Sequence, residues 1–483
     1  MRLSRSALPL AAFGFAGLTA CADPITSVDP TVAPTLSAST SGSSTGIEDV
    51  PGRFIVMFKQ ERVAADLAAQ VRALGGTVET SYDEMGIAVV SGLNDPTAAE
   101  KLRGRSDVAM VDADRAFPIE AMLEGQPDGA GSVSDPMSPD APNTAAFYPR
   151  QWHMRQIGAD VAWAAGRLGS PSVKVAILDT GIDDRSVDLQ GRVDLTLSKS
   201  FLDNTYYADV DYIAALFPGR SETTDLQYHG THVAATAVSN AIVGAGVTSK
   251  ATLVAIKVCG IRRSDLAVNC LTSGVLAGMR YAADIGADVA NMSLGGSFSK
   301  VGAQGFHAII NRTTNYVARK GTLLVVSAGN ANADLDHDGP SFKSYCTATN
   351  VVCVSATGPT AQATVNGPWT NIDAKAPYSN FGRSSINVAA PGGAASAVWA
   401  SCSTASLFVP ICRTGNYIVG LGGTSMASPH VAGLAALLAE DFPKQPARIR
   451  AALEQGADDL GQPGVDPIYG KGRINVPASL GLN

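Results

Sequence analysis

GGTSMASPHVAGLAALL, residues Gly422–Leu438, decides how this chain is read. Small residues lead into Ser425, and Met426, Val431, Leu434 and Leu438 then follow at helical spacing. Thr424 is a residue type suited to an N-cap. A serine at this place sits at a helix N-terminus, where backbone N–H groups and the helix dipole favour developing negative charge. Taken alone, such a stretch is more often a buried Ala/Gly-rich helix that happens to begin with serine. Pro429 is unusual for that reading, because it lacks the N–H that would bond the Ser425 carbonyl.

Upstream, runs at 173–178, 253–258, 289–294, 323–327, 351–354 and 386–389 are nearly continuous in Val, Ile, Leu and Ala. Helical patterns such as 273–285 and 306–319 lie between several of them. Apolar strands alternating with helices predict an α/β domain of three layers, with a mostly parallel sheet covered on both faces. In such folds reactive groups gather at the carboxyl ends of strands. Asp179 ends the VAILD strand, His229 opens the apolar segment HGTHVAAT, and Ser425 opens the segment quoted first. A serine hydroxyl needs a base to become a nucleophile, histidine is that base near neutral pH, and a carboxylate fixes the imidazole tautomer. The chain order Asp, His, Ser differs from the α/β-hydrolase and chymotrypsin orders and matches that of subtilisin.

Three blocks carry a family resemblance: DTGID (Asp179–Asp183), HGTHVAAT (His229–Thr236) and GTSMASPHVAG (Gly423–Gly433). With NMSLGG (291–296), SAGN (327–330), YSNFG (378–382) and VAAPGG (388–393), they make the chain from about Phe147 onward resemble the subtilases, the subtilisin-like serine proteases. The resemblance implies a serine endopeptidase with Asp179, His229 and Ser425 as its triad. Asn330, otherwise an ordinary turn residue, becomes the side-chain donor of the oxyanion hole beside the Ser425 N–H. Ser293, Leu294, Gly295, Gly296, Ser327, Ala328 and Gly329 become the lining of the cleft, with 294–296 offering backbone pairing to an extended peptide. Small pocket residues imply broad specificity with a preference for apolar or aromatic side chains. Two departures touch no reacting group: Ala235 stands where the family usually has Gly, and 184–189 lacks the usual His-Pro. His232 and His430 read as packed helix residues, and His153 and His307 have no partner motif.

The first 150 residues are organised differently. Arg2 and Arg5 precede a short apolar run, and residues 1–21 read as an export signal; Leu18-Thr19-Ala20-Cys21 resembles a bacterial lipobox with Cys21 as the lipidation site, the alternative being an ordinary small-residue cleavage site at Ala20-Cys21-Ala22 and free secretion. A Ser/Thr/Pro-rich tether follows over 22–50. Over 51–118 the order strand, helix, strand, strand, helix, strand is the ferredoxin-like α+β arrangement, and the stretch resembles the inhibitory propeptide of subtilases. A Pro/Gly/Ser/Asp-rich linker over 119–146 is the expected place of self-cleavage, and 147–483 is the peptidase domain.

A net charge of −7 with no basic stripe argues against nucleic acid as a partner. The expected partners are peptide and protein substrates, the chain's own propeptide and, through Cys21, a lipid anchor. Setting Cys21 aside, six of the seven cysteines fall as local pairs, 259 with 270, 346 with 353 and 402 with 412, the simplest of 15 connectivities in an oxidising compartment. The chemistry needs no cofactor. Asp334, Asp336 and Asp338 have the D-x-D-x-D-G spacing of a calcium loop, although Tyr345 stands where the closing Glu belongs. The rival readings are a catalytically inactive subtilase fold used for binding or adhesion, and an esterase of another fold, against which the triad order argues.

Overall fold

Alternating burial shapes the N-terminal domain. The computed structural model describes residues 46–119, 123–124, 127–129, 139–299, 304–339, 341–343 and 345–482; the export segment, Cys21 and the tether up to residue 45 lie outside the described residues. Strand β1 (Glu48–Phe58), helix α1 (Leu67–Ala73), β2 (Thr77–Tyr82), β3 (Ile87–Ser91), α2 (Pro96–Arg103) and β4 (Val108–Pro118) follow in the ferredoxin-like order. Both β3 and β4 pair antiparallel with β1, and β2 pairs with β3. Asp95 opens α2 by accepting from the Thr97 N–H at 2.8 Å, and Pro96 fills the first turn where no donor is needed. Along β1, Val56 and Phe58 pack under α1 and α2, while Ile55 and Met57 face the larger domain. Strand β1 begins inside the stretch that reads as tether.

Two short strands, β5 (Leu123–Glu124) and β6 (Asp128–Gly129), lie within the stretch that reads as linker. The larger domain begins with α3 (Trp152–Gln156), α4 (Ala159–Ala164), β7 (Lys174–Asp179), β8 (Lys199–Ser200), α5 (Asp209–Leu216) and α6 (His229–Ala237). It continues through β9 (Thr252–Lys257), β10 (Cys259–Ile261), β11 (Val268–Leu271), α7 (Thr272–Asp284), β12 (Val289–Met292), β13 (Ser297–Ser299), α8 (Gln304–Arg319) and β14 (Leu323–Ser327). After β15 (Ser341–Lys343), β16 (Val351–Thr357) and the small ladder of β17 (Ala361–Gln362) with β18 (Trp369–Thr370) come β19 (Val388–Pro391), β20 (Val398–Ser401) and β21 (Tyr417–Gly422). Helices α9 (Thr424–Asp441), α10 (Pro446–Gln455) and α11 (Val476–Ser479) close the described chain.

Seven parallel strands form the central sheet in the order β19-β16-β14-β12-β7-β9-β8. Their apolar runs are continuous because both faces are covered. Val175 and Ile177 pack toward α6, α9 and α10, whereas Ala176 and Leu178 pack toward α7 and α8. Helix α9 is the central element of its layer, buried from Thr424 to Ala439. The structure joins Cys259–Cys270, Cys346–Cys353 and Cys402–Cys412. A second sheet crosses the domain boundary in the order β10-β11-β4-β1-β3-β2, and the Cys259–Cys270 bridge lies in its terminal hairpin.

Candidate active site

Three neighbouring strands of the central sheet deliver the site at their carboxyl ends. Strand β7 ends on Asp179, β12 runs into Ser293–Gly296, and β14 runs into Ser327–Asn330. Helix α6 begins at His229, and its first turn packs on the turn after β7. A Cβ on Gly230 would lie 2.1 Å from the Gly181 carbonyl oxygen, so this close approach requires glycine. His229 Nδ1 and Asp179 Oδ1 are 2.7 Å apart, both side chains buried, and the Thr180 N–H holds the same carboxylate oxygen at 2.7 Å. Asp225 steadies α6 by accepting from the Thr231 N–H at 2.9 Å and the Thr231 hydroxyl at 2.7 Å.

Ser425 opens α9, which packs against α6. Thr424 does not act as the N-cap that its residue type suggests. Gly423 takes that place, and the Thr424 hydroxyl accepts from the Gly329 N–H at 2.9 Å and donates to Asn330 Oδ1 at 2.8 Å. The Thr424 N–H donates to the same oxygen at 2.8 Å. The Asn330 carboxamide is thereby held by its oxygen, with Nδ2 on the side of Gly423, 3.4 Å from where a Cβ would stand there. Asn380, from YSNFG, braces the loop behind it through the N–H groups of Ala331 and Ala333 and the carbonyls of Ala328 and Gly329.

The carbonyl stranded by Pro429 finds a partner from the sheet. The Ser293 hydroxyl donates to the Ser425 carbonyl at 2.7 Å and accepts from Asn291 at 3.0 Å. With its single hydrogen committed, Ser293 receives the Ser428 hydroxyl at 2.8 Å. Ser293 thus anchors the backbone of Ser425. The Ser425 hydroxyl itself donates to the Ser293 carbonyl at 3.3 Å, and His229 Nε2 is buried with no hydrogen-bond partner among the described residues. The carboxylate–imidazole half of the relay is formed, and the imidazole–hydroxyl bond is not. Catalytic bonds of this kind often tighten only around substrate.

The remaining sequence-derived residues divide. Leu294 is buried in the core with Phe298 and Phe306, leaving Gly295 and Gly296 half-buried at the cleft. His430 and His153 form a buried pair, Nε2 to Nδ1 at 2.8 Å, a partnership the sequence does not announce. Burial holds the imidazoles of His430 and His232 down, to about 4 and about 3, and pushes His153 well below its ordinary range. Asp334, Asp336 and Asp338 do not fit the calcium expectation. Asp336 accepts from the Ser384 N–H and the hydroxyls of Ser384 and Ser385 at 2.7–2.8 Å, and Asp334 pairs with His337 at 2.9 Å. Among the described residues no three His, Cys, Asp or Glu side chains converge as a metal site.

The N-terminal domain covers this region. Strand β4 continues into the larger domain's edge, Phe117 opposite Cys270 and Pro118 opposite Asn269 on β11. Phe117 is fully buried, its ring 5.9 Å from Phe298 and 6.1 Å from Tyr345. Buried Asp114 accepts from the Ser273 N–H at 2.9 Å and its hydroxyl at 2.5 Å in the first turn of α7, and pairs with Arg53 at 2.8 Å. Beyond β4, β5 pairs with β21, Leu123 opposite Gly422, three residues before Ser425. No helix among the described residues is long and apolar enough to cross a membrane.

Comparison with known proteins gives two family matches. Residues 170–472 match the Subtilase family, and residues 36–113 match the fervidolysin N-terminal prodomain. Thermitase of Thermoactinomyces vulgaris is 33% identical over 338 residues, covering 69% of this chain and 97% of the relative. A thermophilic serine proteinase of Bacillus sp. (strain AK1) is 30% identical over 426 residues, covering 88% and 86%. Among solved structures, the epidermin leader peptide processing serine protease of Staphylococcus aureus has a TM-score of 0.65 at 20% identity, covering 89% of this chain and 98% of that one. Fervidolysin of Fervidobacterium pennivorans has a TM-score of 0.64 at 22% identity, covering 90% and 62%.

Proposed function

The chain belongs to the subtilase family of serine proteases, and from that premise we propose that it is made as a self-processing precursor of an endopeptidase. Ser425 Oγ attacks the scissile carbonyl while His229 Nε2 takes its proton, and Asp179 holds the Nδ1–H tautomer and stabilises the imidazolium. The oxyanion is received by Asn330 Nδ2 and the Ser425 N–H at the start of α9. The tetrahedral intermediate then expels the amine, which takes the proton from His229, and leaves an acyl-serine that water hydrolyses by the same relay. The 2.7 Å bond between His229 and Asp179, with Ser425 at the head of the helix packed against α6, carries this reading.

Self-processing is supported by the course of the chain. Strand β4 lies on β11 at one side of the cleft, and β5 lies on β21 beside Ser425. The bond cut first therefore falls after Pro118 and before Leu123. Phe117 supports a preference for apolar or aromatic side chains at the place it fills between Phe298 and Tyr345, within broad specificity elsewhere. Export is supported by three disulfides and the signal-like N-terminus. A lipid on Cys21 would remain with the prodomain, so the mature enzyme partitions away from membranes after cleavage.

The unmade bond between Ser425 and His229 is the observation that fits an inactive binding protein instead. Ser425→Ala in the purified precursor separates the readings. We expect the precursor to stay whole and peptidase activity to fall by about 10⁶, the scale carried over from subtilisin itself. N-terminal sequencing of the wild-type product should begin between residues 119 and 123. Self-cleavage by the Ser425→Ala variant defeats the assignment.

A further inference from the structure

The first residues of β1 are set apart from the rest of the strand. Glu48 pairs with Ala116 and Asp49 with Arg115, but the next register pair is Phe54 with Ala113. Four residues of β1, Val50–Arg53, thus stand opposite the single residue Asp114. They form a bulge turned by Gly52 at φ +68°, where a Cβ would meet the Asn94 side chain at 2.4 Å. Arg53 pins this bulge to Asp114 and, across the domain boundary, to Asp203 at 2.7 Å. The segment leading into it, Ile47–Val50, pairs with β4 and also touches the peptidase domain. Glu48 pairs with Arg262 at 2.8 Å. A Cβ on Gly296 would lie 3.0 Å from Ile47 Cδ1. Val50 packs on the small cluster of Ala116, Tyr207 and Leu271.

This placement alters the end of β4. With β11 on one side and Glu48–Asp49 on the other, Ala116 and its neighbours form a central strand. Glu48–Asp49 would leave the cleft together with β4 and keep their bonds to it, so what the arm adds against departure is its own set of contacts with the peptidase domain, Glu48 with Arg262 and Ile47 over Gly296, which must break along with the β4–β11 ladder. Gly296, in the loop expected to pair with substrate, is covered by Ile47.

We propose that Ile47–Val50 is an inhibitory arm: after self-cleavage it keeps the β4 end seated and shields the Gly296 loop, so the arm sets how long the cut precursor stays inactive. The inference rests on the reading of the N-terminal domain as the inhibitor of a serine protease. The chemistry of the partner is plain, an arginine for Glu48 and a bare glycine loop for the Ile47 side chain.

The test uses the full chain, following the cleavage band on a gel and activity on a short chromogenic peptide in parallel. Glu48→Arg should leave self-cleavage unchanged and shorten the lag between cleavage and activity roughly two- to fivefold, the range of a partly exposed ion pair. Glu48→Arg with Ile47→Asp should shorten it about tenfold or more, because apolar cover is lost as well. Adding Arg262→Glu to Glu48→Arg should restore the lag. Should Ile47→Asp fold poorly, Glu48→Arg and its rescue still decide, since the Glu48 side chain is mostly exposed. Unchanged lags with normal cleavage overturn the arm alone. Absence of both cleavage and activity in the unaltered chain overturns the parent reading, and the arm with it.

Discussion

Helices α7 and α9 both start beside the cleft, and their first turns are used in opposite ways. The α7 start is satisfied by a carboxylate from another domain: Asp114 takes both the N–H and the hydroxyl of Ser273. The α9 start is met instead by a neutral amide: Asn330 Oδ1 accepts from the Thr424 N–H at 2.8 Å, beside the small N-cap residue Gly423. An N-terminus filled by a permanent anion becomes a docking point, and one left without an anion can stabilise charge that appears only during reaction. Burial pushes the Asp114 carboxyl up even as Ser273 and Arg53 pull it down, so this docking point depends on all its donors remaining in place.

Substitutions should break this contrast in a graded way. Asn330→Ala removes a donor at the α9 start and should lower kcat by about 10²–10³, a value carried over from the equivalent donor in subtilisin, with KM and prodomain inhibition little changed. Steady-state kinetics on a peptide substrate checks it, and a rise in KM alone would assign Asn330 to ground-state binding. Asp114→Ala acts at the α7 start and should do the reverse. It should cost about 2–3 kcal/mol of docking, or roughly 30- to 150-fold in inhibition by the cut prodomain, with kcat of the mature enzyme unaltered.

A smaller effect sharpens the comparison from below α9. His153, His232 and His430 are buried and neutral in the fold, with Arg155 adding to the pressure against a charge on His153. Their folded pKa values lie below the unfolded value of about 6.5. As pH falls below that value, the unfolded chain takes up protons first. The stabilisation from neutral burial is therefore full above about pH 6.5 and is lost progressively toward about 4 and 3. At pH 5.5 we expect a loss of roughly 1–2 kcal/mol per histidine, seen as a fall in Tm. His153→Gln should flatten that fall, and an unchanged slope would place the acid sensitivity elsewhere.

What could be read in the sequence follows from how locally each feature is determined. The strand ending in Asp179 is visible because Val175–Leu178 are buried on both faces and are all apolar. His229 and Ser425 are visible because each opens a helix with a distinct local pattern. Thr424 misleads, because its hydroxyl finds Gly329 and Asn330, tertiary partners that no local rule supplies. Pro429 correctly marks an unpaired carbonyl, but the donor, Ser293, is 132 residues away in sequence. Strand β5 gives no signal because its partner β21 lies almost 300 residues later and its own residues have no apolar alternation. The Asp334–Asp338 spacing fits a calcium loop, yet Ser384 and Ser385 claim the oxygens of Asp336.

The sheet shared between the two domains has a consequence for what the mature enzyme can attack. Once the prodomain departs, the stapled hairpin of β10 and β11 becomes a border with exposed amides, ready for whatever chain can lie flat along it. On the proposed function a guest would have to present several residues in extended form, so a folded protein would have to surrender a local stretch before being cut. Digestion of native proteins should then track how often their loops and termini come loose, while an already unfolded chain is consumed from many points at once.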